Sequence, residues 1–283
     1  MLPVAGNDAP FVPAAARPRR TVRGERPAMR PLLAALLFAS AAAAQDFRVY
    51  TTIRESGSDA VLSRSQTLFH AGRSYDHIEA VGEVVIGDPA HRRFTILRGG
   101  HVGTRVSFDE VNQFRRAGER ETRAYAKQLV EAGEDPAVAA ALVFQLDPKF
   151  AAAAEPGRVA LTADSWRYAV ATAEPPSPGL TAAYLDYADR AAGLNYVLHP
   201  QSFHPAPREA LNERLRDAGR LPTRVELEVA VGRPVRLTAE HRFEWALHPY
   251  DRSQIQNWTR LAESDAVEWV SFREFQSRAV AAR

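Results

Sequence analysis

The chain has 283 residues, with 36 lysines and arginines against 34 aspartates and glutamates, and no cysteine. Six of the arginines and two of the acids precede Gln45, so the rest of the chain, with 30 basic and 32 acidic residues, is nearly neutral. A body without clustered positive charge lacks the footprint of a nucleic-acid binder, and the lack of cysteine excludes disulfides, thiol nucleophiles, iron–sulfur clusters, covalent c-type haem, thiolate zinc and a lipobox anchor.

Residues 1–28 are rich in Pro, Arg and Ala without periodicity. They are read as a disordered extension ahead of a true start at Met29. Met29-Arg30 then supplies positive charge, Pro31–Ala44 an uncharged apolar run, and Ala42-Ala43-Ala44 small residues before Gln45. Charge, apolar core and small residues are the three parts of a secretory signal. The run is too short to span a bilayer, which takes about 20 residues. Arg19-Arg20-Thr21-Val22-Arg23 leaves twin-arginine export open beside the general route. The expected mature protein is Gln45–Arg283, one domain in a bacterial periplasm with no transmembrane segment.

That domain begins as β-structure. Phe47, Val49, Thr51 and Ile53 alternate with Arg48, Tyr50, Thr52 and Arg54, the period of a half-buried strand. Turns at Ser56–Asp59 and Ala71-Gly72 bound strands at Val61–His70 and Ser74–Ile78. Strands at Glu83–Ile86, Arg93–Leu97 and Val102–Ser107 follow, separated by Asp88-Pro89 and Gly99-Gly100. Short strands joined by glycine turns describe an antiparallel meander.

The pattern then changes period. Ser107-Phe108-Asp109-Glu110 is a capping-box sequence, and apolar residues recur at helical spacing from Val111 to Ala132. Asp135-Pro136 is a cap and first-turn proline for a helix to about Gln145. Strands at Arg158–Thr162 and Trp166–Thr172 precede helices at Leu180–Tyr196 and Pro207–Ala218. In the next hairpin Val225, Leu227, Val229 and Val231 alternate with Arg224, Glu226, Glu228 and Ala230. Leu237, Ala239, His241, Phe243, Trp245 and Leu247 do the same against Arg236, Thr238, Glu240, Arg242 and Glu244. One face is apolar and the other wet. Helices at Asp251–Leu261 and from Ser271 close the chain. The order predicts an α+β fold: a strongly twisted antiparallel β-sheet, a half-barrel, with helices packed on its concave face.

Catalytic signatures are few. The chain has no nucleophile elbow, phosphate loop, dinucleotide fingerprint, His-Glu-x-x-His zinc motif or calcium loop. Two histidines, His199 and His204, stand five apart in a proline-flanked loop. With Asp186 or Asp189 they would form a metal site or a base–carboxylate pair, or they simply join two helices. The acids of the hairpin's wet face each have basic neighbours, which favours a cross-strand salt-bridge lattice over paired catalytic carboxylates. No catalytic residue, metal ligand or cofactor is assigned. Trp166, His241, Phe243 and Trp245 fall on strand positions facing the helices. They are the candidate ligand-binding residues if a cavity remains there, and core residues if none does.

The segments Leu68–Ile78, Glu83–Leu97, Leu211–Pro222 and Glu240–Trp245 resemble a family of exported bacterial proteins of unknown function. The succession of strand, glycine turn, strand, Asp-Pro and strand is also similar in architecture to periplasmic lipoprotein carriers and their acceptors. That similarity implies a half-open barrel whose helices plug the hollow and which binds acyl chains. The expected role is a non-catalytic lipid- or lipoprotein-binding one. The expected partner is a lipid or acylated protein, and the expected state a monomer. The alternatives are a cell-envelope interaction module and a hydrolase or metal enzyme built on the His199–His204 loop.

Overall fold

A computed structural model describes residues 46–99, 101–199, 202–231 and 234–281. All the described residues belong to one compact unit. The expected extension and signal, 1–44, lie outside the described residues, as does Gln45.

Six strands come first: β1 (Phe47–Glu55), β2 (Val61–His70), β3 (Arg73–Ile78), β4 (Glu83–Asp88), β5 (Arg93–Arg98) and β6 (Val102–Ser107). At the tightest reversal, between β2 and β3, Ala71 and Gly72 both have positive φ, 49° and 75°. That geometry matches the right-handed twist of a two-residue hairpin. Helix α1 (Phe108–Ala132) starts where the Ser107 hydroxyl accepts from the Glu110 amide. It ends at Gly133, a left-handed residue that costs glycine little. Helix α2 (Pro136–Leu146) is capped by the Asp135 carboxylate on the Val138 amide. Together the two helices carry the chain from one edge of the sheet to the other, where β7 (Ala151–Glu155), β8 (Arg158–Thr162) and β9 (Trp166–Ala173) form a second meander.

Helices α3 (Pro178–Leu198) and α4 (Ala206–Asp217) follow, then β10 (Leu221–Val229) and β11 (Val235–Glu244). The chain closes with α5 (Pro249–Ala262), β12 (Glu268–Trp269) and α6 (Phe272–Ala281). Among the described residues the result is α+β: an open, mostly antiparallel sheet of twelve strands in the order β12-β6-β5-β4-β3-β2-β1-β11-β10-β9-β8-β7, with six α-helices. Among the described strands only β12 and β6 pair in parallel. β1 sits mid-sheet, Val49 pairing with Thr67 of β2 on one side and Phe243 of β11 on the other. Among the described residues no helix is long and apolar enough to cross a membrane.

Strands β7 and β12 go beyond the sequence reading. Ala151–Ala154 carries no β-branched or aromatic residue, so its extended form comes from pairing with β8 and not from local preference. The predicted strand through Leu247 stops at Glu244. There the chain turns, and Leu247 joins the apolar cluster under α5 on the other side of the sheet.

Strand residues alternate between two faces. On one face Phe47, Val49, Tyr168, Val170 and Val225 pack against Tyr184 and Leu185 of α3 and Leu211 and Leu215 of α4. Farther along it, Phe94, Ile96 and Val106 meet Val111 of α1, Leu194 and Leu198 of α3, and Phe272 and Phe275 of α6. This is the α3 face. On the opposite face Leu68, Tyr75, Val84, Ile86 and Leu97 pack under Ile255 of α5. The helices therefore do not all lie on one side.

Helix α5 is held by one carboxylate. Asp251, with no exposed surface, accepts from Arg48 Nη1 at 2.7 Å, Gln66 Nε2 at 3.0 Å and the His248 amide at 2.7 Å. The first two donors stand on β1 and β2, so the capping box of α5 is also its anchor to the sheet.

Candidate functional site

Helix α3 crosses its face of the sheet and leaves a space on either side. The larger, about 430 Å³, lies between the α3–α4 connection and strands β1, β9, β10 and β11. Its sheet wall is Ile53, Val225, Leu227, Leu237 and Ala239. Ile53, Leu227, Leu237 and Ala239 are only half-buried, whereas Val225, nearer the helices, is buried. Registers Ile53↔Ala239, Val225↔Ala239 and Leu227↔Leu237 put these side chains side by side on one face. The apolar alternation of the hairpin made this wall, and the helices stop short of covering it. Phe203, Asn195, Ser202, His204 and Arg208 form the opposite wall.

Arg208 stands in the first turn of α4. Its Nε donates to Asn212 Oδ1 at 3.1 Å, four residues on, and Asn212 Nδ2 donates to Asp189 Oδ1 at 2.6 Å. The guanidinium charge also acts on the Tyr184 phenol, whose hydroxyl lies 3.4 Å from His241 Nδ1. Burial raises the pKa of both the Tyr168 and Tyr184 phenols, so they stay neutral. His241 of β11 bonds the Thr51 hydroxyl through Nδ1 at 3.0 Å, and its Nε2 is buried with no hydrogen-bond partner. Burial, with the charge of Arg208 added, holds its pKa down at about 3. His241 is therefore neutral at ordinary pH.

The second space, about 250 Å³, lies between α3 and strands β3–β5 and is walled by Ile78, Val85, Phe94, Leu194 and Leu198. Asp76 borders it. Burial pushes the Asp76 carboxyl up, against hydroxyl donors from Thr67, Tyr187 and Ser65. Thr67 Oγ1 donates to Asp76 Oδ1 at 2.8 Å. Burial, and then the charge of Asp76, raises the Tyr187 phenol well above its ordinary range. Glu83, also at this cavity, is buried but accepts from Arg98 Nη2 at 2.6 Å.

The candidate ligand residues all lie on the α3 face, but none borders either space among the described residues. Trp166 is core. It packs on Phe203 at 4.9 Å and on Phe144 at 6.0 Å, which fill the volume a ligand would need. Phe243 meets Tyr184 edge-on at 5.0 Å. Trp245, 42% exposed, stacks on Phe243 at 5.5 Å. Phe243, Trp245 and His241 thus form one group around Tyr184, and Trp166 stands apart from it. The same strand does border the larger cleft, through Leu237 and Ala239. Sequence reasoning chose its aromatic end because aromatics stand out; only the end point of the helices shows which stretch stays open.

The His199–His204 constellation does not assemble. Asp186 and Asp189 both bind Arg216. His204 turns to other partners, Nδ1 to the Gln145 carbonyl at 3.0 Å and Nε2 to Glu119 Oε1 at 3.0 Å. Burial lowers its pKa against the Glu119 bond. Arg115 joins the group by holding Glu119 and Glu209. The arrangement ties α1 to the end of α2 and the start of α4. Among the described residues no group of three His, Cys, Asp or Glu side chains could hold a metal ion.

On the wet face the expected lattice is present. Glu240 bridges Arg54 and Arg224, Arg224 also binds Glu226, and Arg242 binds Glu244. No protein-family model and no curated protein matches the chain.

Proposed function

We propose that the chain is an exported, non-catalytic carrier or receptor for an acyl-bearing ligand, a lipid or an acylated protein, held in the larger cleft. In this reading the open sheet curls as a half-barrel, and α3 and α4 plug part of its hollow. The observation that carries the reading is the half-buried wall of Ile53, Leu227, Leu237 and Ala239. Four apolar side chains in one contiguous patch, facing a cleft of about 430 Å³, have the size and chemistry of a small-molecule site. Each methylene that replaces water there contributes about 0.8 kcal/mol.

Native mass spectrometry of the protein purified from a periplasmic extract, with titration of a fluorescent acyl probe, tests this. A retained acyl mass and probe binding that Leu227→Glu weakens at least about tenfold, without loss of circular dichroism, are expected. A wild-type protein that neither retains nor binds an acyl chain overturns the reading. The cell-envelope interaction module is the second reading. It is favoured by β7, an edge strand whose five residues are all exposed. Chemical cross-linking in envelope extracts that traps a partner through β7, lost on Ala153→Pro, would favour it.

A further inference from the structure

We infer that Arg208 is an anion subsite of the larger cleft, so that the ligand is an amphiphile with a carboxylate or phosphate head bound at Arg208 and an acyl chain along β1, β10 and β11. The inference rests on the acyl-binding reading above and adds the chemistry of the head.

The other half-buried arginines of the fold show why Arg208 is different. Arg48 is neutralised by Glu244 and Asp251, Arg54 by Glu240, Arg73 by Asp88, Arg98 by Glu83, Arg115 by Glu209 and Glu119, Arg216 by Asp189 and Asp186, and Arg220 by Glu174. Among the described residues Arg190 makes no ion pair, but it feels the charges of Asp186 and Asp189 and lies over the Phe108 ring at 5.7 Å. Among the described residues Arg208 has no carboxylate within ion-pairing distance, and its side chain bonds the neutral Asn212. A half-buried cation without a counter-ion is open to an anionic ligand, which would supply the missing charge-assisted hydrogen bonds.

The surroundings keep the charge available. Asn212, fully buried, puts its carboxamide between Arg208 and Asp189, so the acid that could have quenched the guanidinium is instead bound to Arg216. Glu209, the acid of the same helical turn, is held by Arg115 Nη2 at 2.9 Å. The N-terminus of α4 adds positive potential of its own, since Pro205 and His204 at its start also border the cleft. His241, Tyr168 and Tyr184 are neutral neighbours. The result is one net positive charge at one end of an apolar wall, the pattern of an anionic amphiphile in complement. A charge-assisted hydrogen bond from the guanidinium makes that end selective.

Binding of palmitate, hexadecyl phosphate, hexadecanol, acetate and inorganic phosphate to the full protein, by calorimetry, tests the inference. Palmitate and hexadecyl phosphate are expected to bind at least about tenfold more tightly than hexadecanol. Arg208→Met removes that preference and leaves hexadecanol affinity unchanged, while Arg208→Lys keeps part of it. Without ligand, Arg208→Met unfolds at the same urea concentration as wild type or a higher one, because it removes an unpaired charge. Equal wild-type affinity for palmitate and hexadecanol overturns the inference and leaves the acyl-binding reading standing. Inorganic phosphate binding as tightly as hexadecyl phosphate also overturns it, since the ligand is then a free anion. If none of the three chains binds, the acyl-binding reading fails with it.

Discussion

Strands β2–β6 and strands β7–β11 are both antiparallel and of similar length, yet they bury their faces differently. Much of the first group is covered twice. Phe94, Ile96 and Val106 lie under α1, α3 and α6, and Leu68, Val84, Ile86 and Leu97 under α5. Its central strands are accordingly buried along nearly their whole length, as in Glu83–Asp88 and Phe94–Leu97. The second group is covered once. Its other face carries Arg224, Glu226, Glu240 and Arg242 in water. Coverage on both faces demands near-continuous apolar runs, and coverage on one demands alternation. The larger cleft borders the singly covered group, where α3 and α4 leave part of the wall open.

The contrast can be broken most directly at α5. Asp251→Ala removes the cap of that helix and leaves Arg48 and Gln66 without their buried acceptor. It is expected to destabilise the protein by roughly 3–5 kcal/mol in urea unfolding. A change below 1 kcal/mol, on the order of a surface pair, would mean that α5 does not hold the doubly covered half. Next, Ile96→Ala, at a site with no exposure, should lose roughly 2–5 kcal/mol. Leu227→Ala in the cleft wall should lose only about 1 kcal/mol, because that side chain is already half in water. Equal losses would mean the cleft is closed in solution.

Two buried groups sharpen the comparison through pH. The folded-state pKa of His241 is about 3, below its ordinary 6.5. Between these values the unfolded chain binds the proton first. Its contribution is complete above pH 6.5 and falls away towards pH 3, by at most about 1.4 kcal/mol per pH unit. Asp76 on β3 has the opposite sign. Its folded pKa is raised, so its contribution is present at low pH and is lost as pH rises above the ordinary carboxylate range. Urea midpoints from pH 4.5 to 7.5 should rise less steeply in His241→Gln than in wild type, and more steeply in Asp76→Asn. Parallel slopes in all three proteins would refute both assignments. The smallest effect is on the wet face. Glu240→Gln breaks two exposed pairs and should cost under about 1 kcal/mol, vanishing in high salt.

Local signals in the chain were strong where one residue satisfied another close by. Ser107 and Asp135 cap their helices as their spacing predicts, and the Ala71-Gly72 reversal lies where two alternating runs meet. The candidate site was legible only as a face. The alternation of β11 placed His241, Phe243 and Trp245 towards the helices, but Phe243 and Trp245 are taken up by Tyr184 and each other. Arg208 gave no signal, since an arginine in a helix's first turn with an asparagine four residues on is unremarkable by itself.

The sequence by itself determined the alternation of the strands, the starts of the helices and the first meander, because these depend on neighbours a few residues apart. Tertiary structure alone decided three things. It drew Ala151–Ala154 into a strand by pairing with β8. It placed β11 against β1 across some 190 residues of chain. It also set Asn212 between Arg208 and Asp189, leaving a cation without its acid. Each depends on groups brought together from distant parts of the chain, and no local spacing encodes which of them will meet.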